Sequence, residues 1–560
     1  MTTIDSSPDT SSAGMSGVGR ILAADVEWLT ATDHKKIGRM FVGGGLLGLL
    51  ATIAVNLVIG IERVDGDNAA LDVDAWSQLL SAQRVGLVFG VALPLAAGLA
   101  IAVMPLQLGA RSLAFPRLAA SGMYMWLGGL ILSIVALAAN GGPGGGDADM
   151  VDLFLAAHGL MAIGFTAVGG SLVTSVLTTR APGMTMRRIP FFAWSTLVFG
   201  LGLLLVMPVL LGTIIYLFVD HRSGSREAFG GNDGVTTWVG WIFTQPATFL
   251  VAIPALGVFA EMLPITFRKR TPLRGIVFAG LSLVGVAALA GVTQQLAFEV
   301  PWNGSNLYLG GGDDVRQKID DVLPWALFHG LPVVGAGILV LMGLFLAKPT
   351  RDERGETVRP RVGAGFIFAF FGYGMILVGM LGAALVPIVD LGLEGTVFGE
   401  ASLLYIAYGT ALAVMGGVVH WAPKLWGREL DMKKVAPLAL LGVGGTVLAC
   451  FPHYIAGFLD QPGGLGYSDS DLQIWNILVL VGHALMALTA VGFVGLLAQT
   501  VLGAKDDAPE PGDDPFDGHT IEWATTSPAP ANNFVDVPMV TSAEPLLDMK
   551  QPAETAGSTH

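Results

Sequence analysis

The sequence predicts an all-α, polytopic membrane protein, a single bundle of twelve transmembrane helices. Three observations carry that reading. Only 13% of the 560 residues are charged while 53% are hydrophobic, and a soluble chain would carry about twice that charge fraction. The mean hydropathy is +0.65, so the surplus apolar residues must face a solvent other than water, and lipid is the one that accepts them. The apolar residues also come in long runs, and a hydrocarbon core of ~30 Å requires roughly 20 residues per span.

Such runs centre near Gly48, Leu95, Gly128, Phe165, Leu204, Ile253, Val286, Gly337, Ile376, Val414, Val447 and Leu488. Helix is the expected conformation in each, because backbone groups in lipid must be satisfied within the segment and no barrel alternation is present. The 76 glycines suit close helix packing where lipid supplies no hydrophobic drive. Basic residues set the orientation. They crowd the connections on the N-terminal side, at Lys35, Lys36 and Arg39, at Arg180, Arg187 and Arg188, and at Arg268, Lys269, Arg270 and Arg274. The opposite loops carry only Arg63, Arg84, Arg222, Arg226, Arg316 and Lys318 of the 30 Lys and Arg. Both termini are therefore expected in the cytoplasm, in a multi-pass protein of the inner (cytoplasmic) membrane. Arg84, near the outer end of the second span, is expected to snorkel to headgroups.

The organisation expected is a disordered cytoplasmic lead over residues 1–30, one membrane domain over 31–503, and a cytoplasmic Pro/Asp-rich tail over 504–560 without its own core. The lead is rich in Ser, Thr, Gly and Asp rather than basic then apolar, so no cleavable signal is expected. The net charge of −14 lies largely in loops and tail, which speaks against nucleic acid as a partner. The single cysteine, Cys450, excludes an internal disulfide or a Cys-rich metal site; in its apolar run it reads as a packed residue.

Several segments resemble subunit I of the haem-copper oxidases, close to the cytochrome c oxidase branch. They are Thr-Asp-His-Lys-Lys-Ile-Gly at 32–38, Met-Pro-Leu-Gln-Leu-Gly-Ala at 104–110 and Leu-Ala-Phe-Pro-Arg at 113–117. Thr-Arg-Ala-Pro-Gly-Met-Thr at 179–185, with Pro190 and Trp194, and Trp-Ala-Pro-Lys-Leu-Trp-Gly-Arg at 421–428 follow in order. The tail adds Asp-Pro-Phe-Asp at 514–517, Glu522-Trp523, Ser-Pro-Ala-Pro at 527–530 and Asn533-Phe534. The resemblance spans about residues 30 to 540 and implies the family's twelve-helix bundle.

It also implies where ligands would stand. The family holds two haems and a copper with histidines on helices two, six, seven and ten, because neutral imidazole offers iron and copper a localised lone pair that carboxamides do not. Counting back from Pro94 puts Gln83 at the helix-two position. The helix-six histidine becomes Gln245, followed by Ala247 and Phe249 where the family has a glutamate and a tyrosine. The helix-seven pair becomes Gln294 and Gln295. Counting back from Trp421 and Pro423 puts Ala401 and Leu403 at the helix-ten positions. The usual entrance aspartate of the proton path is Ser112, the helix-eight lysine has no counterpart between Val322 and Phe345, and the paired arginines are absent near Leu459.

The 9 histidines offer no substitute. His34 reads as a hydrogen-bonded interfacial residue and His158 as a packing residue. His221, His519 and His560 fall outside the spans, and His329, His420, His453 and His483 are scattered without the i, i+4 pairing of a helical ligand pair. No catalytic residue is assigned. Neither haem nor copper is expected as a cofactor, although the resemblance implies both. A buried carboxamide must find a partner, so Gln83, Gln245, Gln294 and Gln295 are expected either to fill vacated volume as a bonded polar cluster or to line a small polar cavity. Glu261 is expected to be a solvated or paired interfacial carboxylate.

The function expected is that of a cytochrome c oxidase subunit I-like membrane protein, a non-catalytic paralogue serving as structural or accessory subunit of a respiratory membrane complex. Two alternatives stand beside it, a repurposed transporter or small-molecule binder and an active terminal oxidase with unorthodox ligands. The expected partners are the lipid bilayer and other oxidase-like membrane subunits.

Overall fold

The computed structural model describes residues 31–64, 70–222, 235, 239–243, 248–292, 322–351, 357–464, 470–503 and 511–550. Among them twelve helices are long and apolar enough to cross a membrane. They are α1 (His34–Val64), α2 (Val73–Gln107), α3 (Pro116–Ala138), α4 (Ala148–Thr178), α5 (Phe191–Arg222) and α6 (Phe249–Phe267). The second half comprises α7 (Arg274–Gly291), α8 (Val322–Leu346), α9 (Ala364–Leu385), α10 (Val397–Trp426), α11 (Met432–Phe458) and α12 (Gln473–Leu502). No strand forms among the described residues. The expected lead at 1–30 lies outside them.

Consecutive helices pack on one another, most extensively α3 on α4, α9 on α10 and α11 on α12, and α12 returns to α1. Three helices occupy the middle. The most apolar stretches of α2, α6 and α10 are 100% buried, and each touches the other two. They have no lipid-facing side, which is why they are apolar or small all round. The outer helices keep faces for lipid, such as Ile131, Ile134 and Val135 on α3.

Local sequence shapes the central helices. In α2, Pro94 offers no N–H to the carbonyl one turn back. Residues Gly86–Ala92 accordingly run as wider π turns between regular helix at Val73–Val85 and at Leu93–Gln107, the form that absorbs such a break. At this point α1 touches α2 through backbone. A Cβ on Gly48 would lie 2.1 Å from the Gly90 carbonyl oxygen, so a small-residue contact sets the helix spacing.

The tail differs from expectation. Residues 511–550 fold back over the N-terminal face of the bundle and bury Ile521, Trp523, Phe534 and Val540 against it. Polar ties fix the position. The Asn533 amide donates to the Ala110 carbonyl (2.8 Å) and accepts from Lys35 Nζ (2.9 Å), with His34 Nε2 at 3.0 Å. Lys424 Nζ donates to the carbonyls of Asp513 (2.7 Å) and Thr525. The Val540 N–H donates to the Pro182 carbonyl at 2.9 Å. A Pro/Asp-rich segment has too few apolar groups for a core of its own, yet it acquires one by covering the apolar ends of α2, α6 and α10.

Burial under this cap shifts its ionisable groups. Glu522 is fully buried, which raises its carboxyl above the usual range against the hydrogen bonds from Gln107, Thr520 and Trp421. His519 is held down at about 4 by burial, with Lys550 and Arg270 adding to the effect and Asp517 opposing it.

Candidate functional site

Three of the positions that the resemblance marks as ligand sites are described, and these three lie on the central helices α2 and α10. Gln245, Gln294 and Gln295 fall outside the described residues. Gln83, on α2, is 3% exposed; Ala401 and Leu403, on α10, are 0% and 6% exposed. Methyl and isobutyl groups carry no lone pair, and both α10 residues sit in the continuous apolar core with Leu404, Tyr405 and Tyr408.

Gln83 is bonded within the protein. Its Nε2 donates to Asn56 Oδ1 on α1 at 3.0 Å. Asn56 Nδ2 donates to the Tyr408 hydroxyl on α10 at 2.7 Å. That hydroxyl lies 3.1 Å from His483 Nδ1 on α12. The phenolic proton has no other acceptor along this path, so Tyr408 donates to Nδ1 and His483 is assigned as the Nε2–H tautomer. Four side chains from α1, α2, α10 and α12 thus form one directional chain. The space bounded by Gln83, His453, His483, Asn476 and Arg63 has no room for a water-sized guest.

A second polar group closes the chain at the face opposite the termini. Arg63, 1% exposed, donates two bonds to the Glu400 carboxylate at 2.9 and 3.1 Å and a third to the Gly463 carbonyl at 2.8 Å. Trp76 lies under the guanidinium and donates its indole N–H to the Gly464 carbonyl at 2.9 Å. This joins α1, α2 and α10 to the turn after α11, the segment where the resemblance implies paired arginines.

Sequence reasoning singled out Gln83 but missed its partners. Asn56 and Tyr408, like the separate pair Arg63 and Glu400, stand on two different spans, α1 and α10, and the available signal was a polar residue in an apolar run without a partner at helical spacing. Several other readings are settled by contacts. Cys450 is buried with its thiol free. His34 lies 3.0 Å from the Ile101 carbonyl through Nδ1, and His158 lies 2.9 Å from that of Phe154. Glu261 is not solvated: it is 3% exposed and accepts from the Phe192 N–H (3.2 Å) and the Thr520 hydroxyl (3.3 Å). Among the described residues no group of three or more His, Cys, Asp or Glu is gathered as a metal site.

The family model for cytochrome c and quinol oxidase polypeptide I matches residues 36–301. A putative cytochrome c oxidase subunit 1-beta of Streptomyces avermitilis is 28% identical over 578 residues, covering 96% of this chain and 93% of that one. Cytochrome c oxidase subunit 1 of Bacillus subtilis is 28% identical over 561 residues, covering 95% and 86%. A heme-copper terminal oxidase solved as a dimer by cryo-EM shares the fold with a TM-score of 0.57 at 14% identity, covering 86% of this chain and 85% of that one.

These matches correct the expectation that haem and copper do not accompany the chain, because its full-length relatives are oxidase subunits and the shared fold is that of a heme-copper oxidase. That expectation rested on donor atoms missing from aligned positions. Such positions describe inherited ligands and do not determine what the bundle holds. The amide, methyl and isobutyl groups at Gln83, Ala401 and Leu403 do not fit either group, and no reaction step is derived through them.

Proposed function

We propose that this protein, which belongs to the haem-copper oxidase subunit I family, is an accessory subunit of a respiratory membrane complex and not the subunit where dioxygen is reduced. The observation that carries this reading is the state of the ligand positions. Gln83 spends its amide in a chain through Asn56 and Tyr408 to His483, and Ala401 and Leu403 are packed as core. Dioxygen reduction needs donors that project toward reacting metal centres; here the three described positions hold helices together. The features kept in common with the family are the interlocked loops and tail, which suits a chain retained for its shape. The excess of basic residues on the N-terminal face supports cytoplasmic termini in the inner membrane.

The test is purification through a tag on this chain, under mild detergent, followed by separation into subunits. Other oxidase-like or electron-transfer subunits are expected to co-purify. Oxygen uptake with reduced cytochrome c is expected in the complex and to remain with those subunits after separation. Uptake by the isolated chain alone overturns the proposal.

A further inference from the structure

We propose that a cavity at the face opposite the termini binds the anionic group of an amphipathic ligand, a carboxylate or phosphate carried on an apolar body. The cavity lies between the first turns of α2, the start of α4 and the described residues Val235, Val239, Gly240 and Gly464, and its volume is about 360 Å³. That is at the small end of the roughly 300–1,000 Å³ typical of ligand pockets, too small for a whole two-chain lipid and sufficient for a headgroup with part of a chain.

Its chemistry is set by one stripe of α2. Ser77, Ser81 and Arg84 all line it, and their spacing of four and three residues puts them on one helix face. The serines are partly buried, and so is Arg84. Among the described residues Arg84 makes no ion pair and no hydrogen bond. That sets it apart from other arginines of the bundle: Arg63 is paired with Glu400, Arg222 with Asp152. A partly buried cation in a membrane protein gains from a counter-charge, and none of the described residues lining the cavity beside it is acidic.

The hydroxyls point the same way. Thr52, Thr213, Thr446 and Thr500 return theirs to the carbonyl four residues back, the ordinary resting place in a membrane helix. Ser77 and Ser81 make no such bond and leave their hydroxyls to the cavity. A guanidinium flanked by two hydroxyl donors is a recognition set for a carboxylate or phosphate. The remaining wall, with Trp76, Leu80 and Phe154, is apolar and selects an anion that carries a hydrophobic body. This inference is independent of the accessory-subunit reading.

The experiment is equilibrium binding of radiolabelled decanoate, and separately of dihexanoyl-phosphatidylglycerol, to the full chain in dodecyl maltoside. Saturable binding of at least one probe is expected. Arg84→Gln should weaken it about tenfold, the scale of a lost hydrogen-bonded charge; Arg84→Lys should retain most of it, and the Ser77→Ala/Ser81→Ala double variant should lose part. Decanoate alone identifies a free carboxylate as the ligand, phosphatidylglycerol alone a lipid headgroup, and both a site that reads only the anion. Saturable binding of neither probe, or wild-type affinity in Arg84→Gln, overturns the proposal. Should Arg84→Gln fail to fold, a diazirine analogue of decanoate on the wild-type chain decides: labelling within residues 76–84 supports the site, and labelling confined elsewhere overturns it.

Discussion

Replacing Asn56 by leucine removes the link on which the buried polar chain depends. Asn56 is 0% exposed and makes two bonds, accepting from Gln83 at 3.0 Å and donating to Tyr408 at 2.7 Å. Leucine keeps the volume roughly but leaves the Gln83 amide without its acceptor in a space that admits no water. Each lost bond costs about 1–2 kcal/mol when a buried group is left unsatisfied, and membrane interiors average nearer ~0.6 kcal/mol per bond. Asn56→Leu should therefore destabilise the bundle by roughly 1–4 kcal/mol. Most of the loss should be recovered in Asn56→Leu/Gln83→Leu, because the stranded amide is then removed as well. The assay is reversible unfolding in mixed micelles, read by helix content, for both single variants and the double. Additive losses, with the double variant worse than Asn56→Leu alone, would refute the chain as a coupled unit.

Three further outcomes are expected. Arg63→Met leaves the Glu400 carboxylate buried without its cation and should cost about 3–5 kcal/mol, with Arg63→Met/Glu400→Gln recovering a substantial part; the same unfolding assay reads it, and an unaffected single variant contradicts the pairing. Asn533→Ala removes one of the acceptors of Lys35 and the donor to Ala110, so the tail should become cleavable by added protease within residues 511–550 while the spans stay intact. The docked tail should also respond to pH. His519 takes a proton at about 4 docked against 6.5 free, so the free tail binds more protons in that window and docking weakens as pH falls from about 6.5 toward about 4. Glu522 has the opposite sign. Its raised value means the docked tail holds the proton more tightly, so docking weakens as pH rises above 4.5. Proteolysis across pH should show the acid limb lost in His519→Gln and the alkaline limb reduced in Glu522→Gln; unchanged profiles in both variants contradict the burial of these groups.

Twelve spans and their helical form were legible in the residues, because lipid forces every spanning segment to satisfy its own backbone and so leaves a local signature of length and hydropathy; the likeness to subunit I of the haem-copper oxidases was legible in short motifs. The positions that the resemblance marks at Gln83, Ala401 and Leu403 come from fixed intervals to Pro94, Trp421 and Pro423, and an interval along one helix is a property of the chain itself. What Gln83 does was not. Its partners Asn56, Tyr408 and His483 lie on three other helices, and only assembly brings them within bonding distance.

The tail makes the same point. Its composition argued against a core, and by itself it has none; Asn533 and Glu522 acquire buried partners only where α1, α2 and α10 end together. Motifs that carried the resemblance, scattered along the chain, meet across that one contact: Lys35 with Asn533 and Trp421 with Glu522. Hydropathy is additive along a sequence and can be read from it. Pairing between buried polar groups depends on which helices lie side by side, and that was decided by tertiary packing.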